Sequence, residues 1–248
     1  MTPDARRIEE LSLNSSAPPG QLFYDGWILR LLRGKARRAR SVNAVYASTA
    51  PLDEKIPYCE RLYESSALPV LFRITPFSQP AQLDSDLERR GYERFDATSV
   101  ECMSIDRAKL DGADAQAMEL SSWVEAVGEL RGSPIAHRSS HLLRLEGMPL
   151  AKRAVAIKSQ GRVLATGLAI IEDDCVGLFD ITTHEQARRQ GHARSVVSSL
   201  LRLAWDLGAR HSYLQVQEDN AAARRLYAQF GFRQKYSYWY RGRPGEAR

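Results

Sequence analysis

Long apolar runs are missing from this chain, and so is any paired arrangement of cysteines. No stretch approaches the ~20 apolar residues of a membrane span, and the opening MTPDARRIEE carries no secretory apolar core. The three cysteines, Cys59, Cys102 and Cys175, are odd in number and form no C-x-x-C pair. A cytosolic protein without structural disulfides or membrane attachment is therefore expected. Nor is there a large excess of either charge. The net +5 is mildly basic, which suits nucleic acid and small anions alike. What remains is ordinary globular material, 44% apolar and 26% charged over 248 residues, enough for two domains of roughly 100–150 residues.

In chain order, Ala5–Leu11 reads as a short helix, followed by a Ser-Ser-Ala-Pro-Pro-Gly connector. Gly26–Arg33 and Ser41–Ser48 read as the two arms of a hairpin. Between them GKARRAR forms a turn crowded with cations: Arg33, Lys35, Arg37, Arg38 and Arg40 cluster over residues 33–40. That cluster suits RNA or an acidic substrate, or else it is a solvated hairpin tip; no aromatic residue interleaves it. Pro51–Ser65 has helical spacing, with Ile56, Cys59, Leu62 and Tyr63 on one face. A strand at Pro69–Ile74, a helix at Gln79–Arg90 closed by Gly91, and a strand at Tyr92–Ile105 complete a ββαβαβ order.

Asp106–Ala117 is charged and small, without β-branched or aromatic residues, and reads as a domain boundary. Past it come helices at Met118–Leu130 and Ile135–Leu145. Strands at Arg153–Ser159 and Val163–Ile171 are joined by Gln160-Gly161, and another follows at Cys175–Ile181. A helix at Gly191–Leu207, a strand at His211–Gln217, a helix at Asn220–Phe230 and a strand at Gln234–Tyr240 close an ααβββαβαβ order.

Two motifs stand out in this second half. After the strand ending at Ile181, Arg188-Arg189-Gln190-Gly191-His192-Ala193 opens an amphipathic helix. Such a corner presents unpaired N–H groups at the positive end of a helix dipole, with little side-chain bulk at Gly191 and Ala193, and Arg194 adds charge. Downstream lies Asn220-x-x-Ala223-x-x-Leu226-Tyr227, then Phe230-Gly231-Phe232. Together, in this order, the motifs resemble those of the GNAT superfamily of N-acetyltransferases. The resemblance implies an α/β mixed sheet of the GNAT fold. It also implies acetyl-CoA as cosubstrate, a primary amine on a small molecule or peptide as acceptor, and no metal.

The first half echoes the second: Leu83-x-x-x-Leu87-x-x-Arg90-Gly91-Tyr92 repeats the rhythm that ends at Gly231-Phe232. It thus resembles a degenerate GNAT-like domain packed against a complete one. The expected division is residues 1–106, a linker at 107–117, and a catalytic domain at 118–248. Thr49-Ala50-Pro51-Leu52 has no glycine where a pyrophosphate would need room, so one CoA site per chain is expected.

Residue roles follow from the same resemblance. Ile181 and Thr183 would pair with the pantetheine, and amides from Arg189 through Arg194 would take the pyrophosphate beside Arg188. Asn220 caps its helix or meets the pantetheine. Tyr227, protonated at neutral pH, would donate to the departing thiolate. Asp180 would be the base or the anchor of the amine, with Glu185 a poorer choice. Trp27, Arg30, Ser41 and Asn43 are assigned to the acceptor pocket, with His137 as a further contact.

Three other patterns carry no assignment. Val155-Ala156-Ile157-Lys158 lacks the loops of a kinase, His137-x-x-x-His141 lacks a third metal ligand, and Cys175 has nothing nearby to lower its pKa. A monomer or homodimer is expected, with nucleic acid not the expected partner. The alternative function is a non-catalytic acyl-CoA sensor, or an RNA binder using residues 33–40.

Overall fold

The computed structural model describes residues 3–34, 36–112 and 114–245; Lys35 of the basic run and Ala113 of the expected linker lie outside them. The chain forms two compact units, and neither is a continuous half. The first gathers the described residues of Met1–Ser15, Val100–Val216 and Asn220–Lys235, the second those of Ser16–Ser99, Gln217–Asp219 and Tyr236–Arg248.

In the first unit the strand order is β5 (Glu93–Ser104, from Val100 on), β10 (His211–Gln217), β9 (Cys175–Thr183), β8 (Arg162–Glu172), β7 (Ala151–Ser159) and β6 (Gln116–Ala117). β9 and β10 run parallel, whereas β6, β7, β8 and β9 are joined by antiparallel ladders. The period-2 alternation of β8 sends Ala165, Ala169 and Ile171 to one face and Leu168 and Ile170 to the other. The first face is covered by α6 (His192–Asp206) through Val196, Val197, Leu200, Leu201 and Ala204. α4 (Leu120–Leu130) and α5 (Ile135–Glu146) cover the second through Trp123, Val124, Val127 and Leu145. α7 (Ala221–Phe230) joins the α6 side through Tyr227.

The second unit orders β1 (Gln21–Tyr24), β2 (Trp27–Arg30), β3 (Val42–Asn43), β4 (Leu71–Ile74) and the end of β11 (Arg233–Gly242). Its core holds Trp27, Leu29, Val42, Ile56, Cys59, Tyr63, Phe72, Leu83 and Leu87. Ile56, Cys59 and Tyr63 come from α2 (Leu52–Ser65), as the helical spacing predicts. Leu83 and Leu87 come from α3 (Leu83–Arg89), a shorter helix than the expected Gln79–Arg90.

The expected boundary at residues 106–117 is crossed in both directions. Helix α1 (Ala5–Asn14) buries Ile8, Leu11 and Leu13 within the first unit. There Tyr213 Oη donates to Leu11 O at 3.0 Å, and Arg7 meets Glu172 at 3.0 Å. Conversely, Trp239–Gly242 of β11 pair with Ile74–Leu71 of β4 in the second unit. Arg241 fixes that return by bonding Asp84 and Glu88 of α3, and Trp239 Nε1 donates to Asp84 at 2.9 Å. The expected linker is also built in: Leu110 is buried, and Ala115 N donates to Ser199 Oγ of α6 at 3.1 Å. Composition shows a polar stretch; burial is decided by what packs over it.

The hairpin reading also shifts. Of Ser41–Ser48 Val42 and Asn43 form the strand that pairs with β2, and Ser41 O takes one more bond from Arg30 N; a further hairpin, β1–β2, turns at Asp25-Gly26 with both residues at positive φ. The attachment of α1 gives a direct prediction. Leu11→Ala empties part of the first unit's core and should lower stability by about 2–5 kcal/mol in urea unfolding; an unchanged midpoint would contradict the placement of α1.

Candidate active site

The site begins with a break in register. β8 and β9 pair from Glu172/Cys175 to Leu168/Phe179, then resume at Thr166/Thr182. Asp180 and Ile181 thus stand opposite Gly167 alone, a bulge with Asp180 at φ +53°. Gly167 makes room for it. A Cβ there would fall 2.5 Å from Val196 Cγ1 and 2.7 Å from Ile181 Cδ1, so Ile181 enters the α6 side of the core only because residue 167 has no side chain.

Beyond the bulge β9 leaves its other neighbour. The parallel ladder with β10 ends at Leu178/Leu214, although β9 runs on to Thr183. Among the described residues, the edge of β9 from Asp180 to Thr183 that faces β10 forms no ladder with it. Ile181 and Thr183, the expected pantetheine partners, lie on this stretch and are half-buried.

The chain next makes a 3-10 turn at Glu185–Ala187, anchored by buried Ala187, and reaches α6 through two left-handed residues. Arg189 has φ +64° and Gly191, the N-cap of α6, φ +84°. Gly191 supplies no side-chain cap, so the first-turn amides stay available to a ligand. Among the described residues other than its chain neighbours, none lies within 4 Å of where a Cβ would stand at Gly191; conformation and open space, not crowding, call for glycine here. Arg188, Arg189 and Gln190 are exposed around this corner, and His192 and Ala193 are half-buried in the first turn. Arg194 leans away onto α7, bonding Gln229 at 3.2 Å and lying over the Phe230 ring.

On α7, Asn220 Oδ1 accepts from Ala223 N at 3.1 Å, the expected cap. Tyr227 is buried and meets Phe232 edge to face at 5.9 Å. Burial, aided by the charge of Glu101, pushes its phenol up to about 12, so it holds its proton throughout the neutral range. Cys175 is pushed up to about 12 by burial too, which leaves it a packed thiol and not a nucleophile.

Asp180 does not stand alone in solvent. Its Oδ1 takes Arg131 Nη1 at 2.5 Å, its Oδ2 lies 3.4 Å from His141 Nε2, and Arg131 Nε also reaches Thr182 Oγ1 at 3.0 Å. Burial alone would raise this carboxyl, but Arg131, with His141 and Arg144, holds it well below the usual carboxylate range. Asp180 is a standing anion and a weak proton acceptor. Spacing within the chain links neither Arg131 nor His141 to this position, because the α4–α5 loop and β9 meet only through the fold. His137, the residue expected near the acceptor, sits one turn before His141 on α5; it is His141 that reaches Asp180.

Trp27, Arg30, Ser41 and Asn43 are a correction. All four are buried inside the second unit. Trp27 donates to Gln79 O at 2.9 Å under the Lys55 ammonium, Arg30 bonds Ser16 at 3.0 Å, and Asn43 bonds Ser41 O at 2.9 Å. Trp27 and Arg30 lie on β2, Asn43 on β3 and Ser41 just before it, all in that unit's interior. Within the basic run Arg33 is exposed, whereas Arg37 pairs with Asp96 at 2.9 Å over the Phe95 ring and Arg40 is buried.

Residues 121–232 match the Acetyltransferase (GNAT) family. An uncharacterized N-acetyltransferase of Bacillus subtilis (strain 168), YobR, is 30% identical over 247 residues, covering 96% of this chain and 98% of that one. The chain belongs to the GNAT family of acetyltransferases. Among solved structures, a GCN5-related N-acetyltransferase from Kribbella flavida is similar at TM-score 0.70 and 17% identity, over 97% of this chain and 96% of that one. A tandem GNAT protein from the clavulanic acid biosynthesis pathway is similar at TM-score 0.57 and 13% identity, covering 81% and 74%. At these identities the two structures speak to the mixed α/β GNAT fold alone. Among the described residues of this GNAT protein, no helix is long and apolar enough to cross a membrane.

The bulge can be tested without any ligand. Gly167→Ala drives a methyl group into Val196 and Ile181 and should cost about 1–3 kcal/mol in thermal or urea unfolding. An unaltered transition would mean that the bulge is not held by that contact.

Proposed function

We propose that the first unit transfers the acetyl group of acetyl-CoA directly to a primary amine in the cytoplasm. The observation that carries this is the conjunction at one strand end: the open edge of β9 leads straight into the uncapped, glycine-started helix α6. In this reading the pyrophosphate takes the amides from Arg189 to Arg194 beside Arg188, and the pantetheine pairs with the edge at Ile181 and Thr183. Asn220, its Oδ1 committed to the cap, offers Nδ2. The cosubstrate supplies the acetyl thioester. The amine's nitrogen forms the C–N bond, the C–S bond breaks, and Tyr227 gives its proton to the departing sulfur. Of the two roles open to Asp180, its low proton affinity favours the anchor that holds the acceptor's ammonium.

The second unit is assigned no cofactor. Its comparable helix α2 starts from Pro51 and carries Asp53 and Glu54 in the first turn, charges that oppose a pyrophosphate at a helix N-terminus. A non-catalytic RNA-binding role is not favoured, since Arg37 and Arg40 are drawn into that unit's interior contacts.

Isothermal calorimetry should therefore find one equivalent of CoA per chain, and two would contradict the assignment. Tyr227→Phe should lower kcat by about 100-fold, in the range of a lost general acid, with KM for acetyl-CoA little changed. A kcat equal to that of the parent would remove Tyr227 from the chemistry.

A further inference from the structure

An acceptor that arrives as an ammonium must shed a proton before its nitrogen can attack, and Asp180, held ionised by Arg131, takes one poorly. The helices above it carry a better destination. His141 comes down from α5 with Nε2 3.4 Å from Asp180 Oδ2, and its ring stands edge to face on Trp123 of α4 at 5.7 Å. Nε2 is buried and makes no hydrogen bond to another described residue. Other buried side-chain nitrogens share that condition, but Nε2 is the one that lies 3.4 Å from the Asp180 carboxylate, and a catalytic role is among the explanations such a group calls for.

The groups facing His141 are Asp180 from β9, Arg131 from the end of α4, Arg144 from its own helix and the Trp123 ring. Burial lowers the proton affinity of the imidazole, Asp180 opposes that, and Arg144 and Arg131 add to it. The ring is therefore neutral at pH 7 and has a lone pair to use. Arg131 is the movable member, with its side chain 39% exposed against 20% for Asp180. An incoming ammonium that replaces the guanidinium on Asp180 Oδ1 arrives beside the nitrogen at Oδ2.

We propose, on the footing of the acetyl transfer above, that His141 accepts the proton of the acceptor's ammonium while Asp180 holds that ammonium in place of Arg131. One N–H proton passes to the imidazole and the freed lone pair attacks the thioester carbonyl. As the C–N bond forms and the C–S bond breaks, the thiolate takes its proton from Tyr227. The nitrogen's second proton restores Tyr227 by way of solvent, and the imidazolium releases its own to solvent.

The test compares ethylamine, almost wholly protonated at pH 7, with 2,2,2-trifluoroethylamine, almost wholly neutral there. Thiol release from acetyl-CoA is followed in the full-length protein and in His141→Gln. The substitution should lower kcat/KM for ethylamine about 100-fold, the scale of a lost general base, and leave trifluoroethylamine nearly unaffected, because that amine needs no base before it attacks. His141→Asn, packed differently, should reproduce the contrast, and an unchanged CoA affinity checks the fold of both variants. Equal losses for the two amines would make His141 structural, and no loss for ethylamine would make it a bystander; either overturns this assignment alone. A wild-type protein that binds acetyl-CoA and acetylates neither amine overturns the transferase proposal along with it.

Discussion

One extra residue in β9 organises the first unit. Asp180 and Ile181 share the single position opposite Gly167, and the strand bends there. Ile181 turns into the α6 core, Asp180 turns toward α4 and α5, and the edge beyond Leu178 parts from β10. A left-handed aspartate is a strained choice, on the order of 1 kcal/mol, and it persists because the packing around Gly167 admits no straighter path. The end of the β10 ladder, the charged cluster at Asp180 and the approach to the glycine corner are three consequences of that one break.

Charge then separates the two units. In the first, an uncapped helix start with exposed Arg188 and Arg189 favours an anion. In the second, the related helix start follows Pro51 and carries Asp53 and Glu54. The repeat that links the halves in rhythm has therefore kept a core pattern, Leu83 and Leu87 against Tyr92, without the electrostatics of a phosphate site. Asp180 is kept as a fixed negative charge by the guanidinium of Arg131.

The parts legible in the sequence were those whose chemistry is local. Arg188 to Ala193 are contiguous, and Asn220, Ala223 and Tyr227 fall on successive turns of one helix, so spacing alone located the corner and the phenol's element. Helix α2 and the strands around β8 followed from periodicity. The Asp180 cluster was half legible: the aspartate marks a strand end, but Arg131 sat in what reads as a spacer and His141 in what reads as an incomplete metal pair. Trp27, Arg30, Ser41 and Asn43 looked available because polar and aromatic residues on short strands and the turns beside them give no sign of which neighbours will cover them. Helix α1 and strand β11 joined units remote from them in sequence, through Leu11 beneath Tyr213 and Arg241 between Asp84 and Glu88. Such long-range pairings are set by tertiary packing, which no local pattern records.

The central claim is that the open edge of β9 and the corner at Gly191 form one continuous seat for CoA. A crystal structure of the complex tests it most directly. The account predicts the pyrophosphate within hydrogen-bond distance of the amides between Arg189 and Arg194, and the pantetheine running beside Ile181 and Thr183. Density for CoA at any other place, with β9 and the corner unaltered and bare, would contradict it.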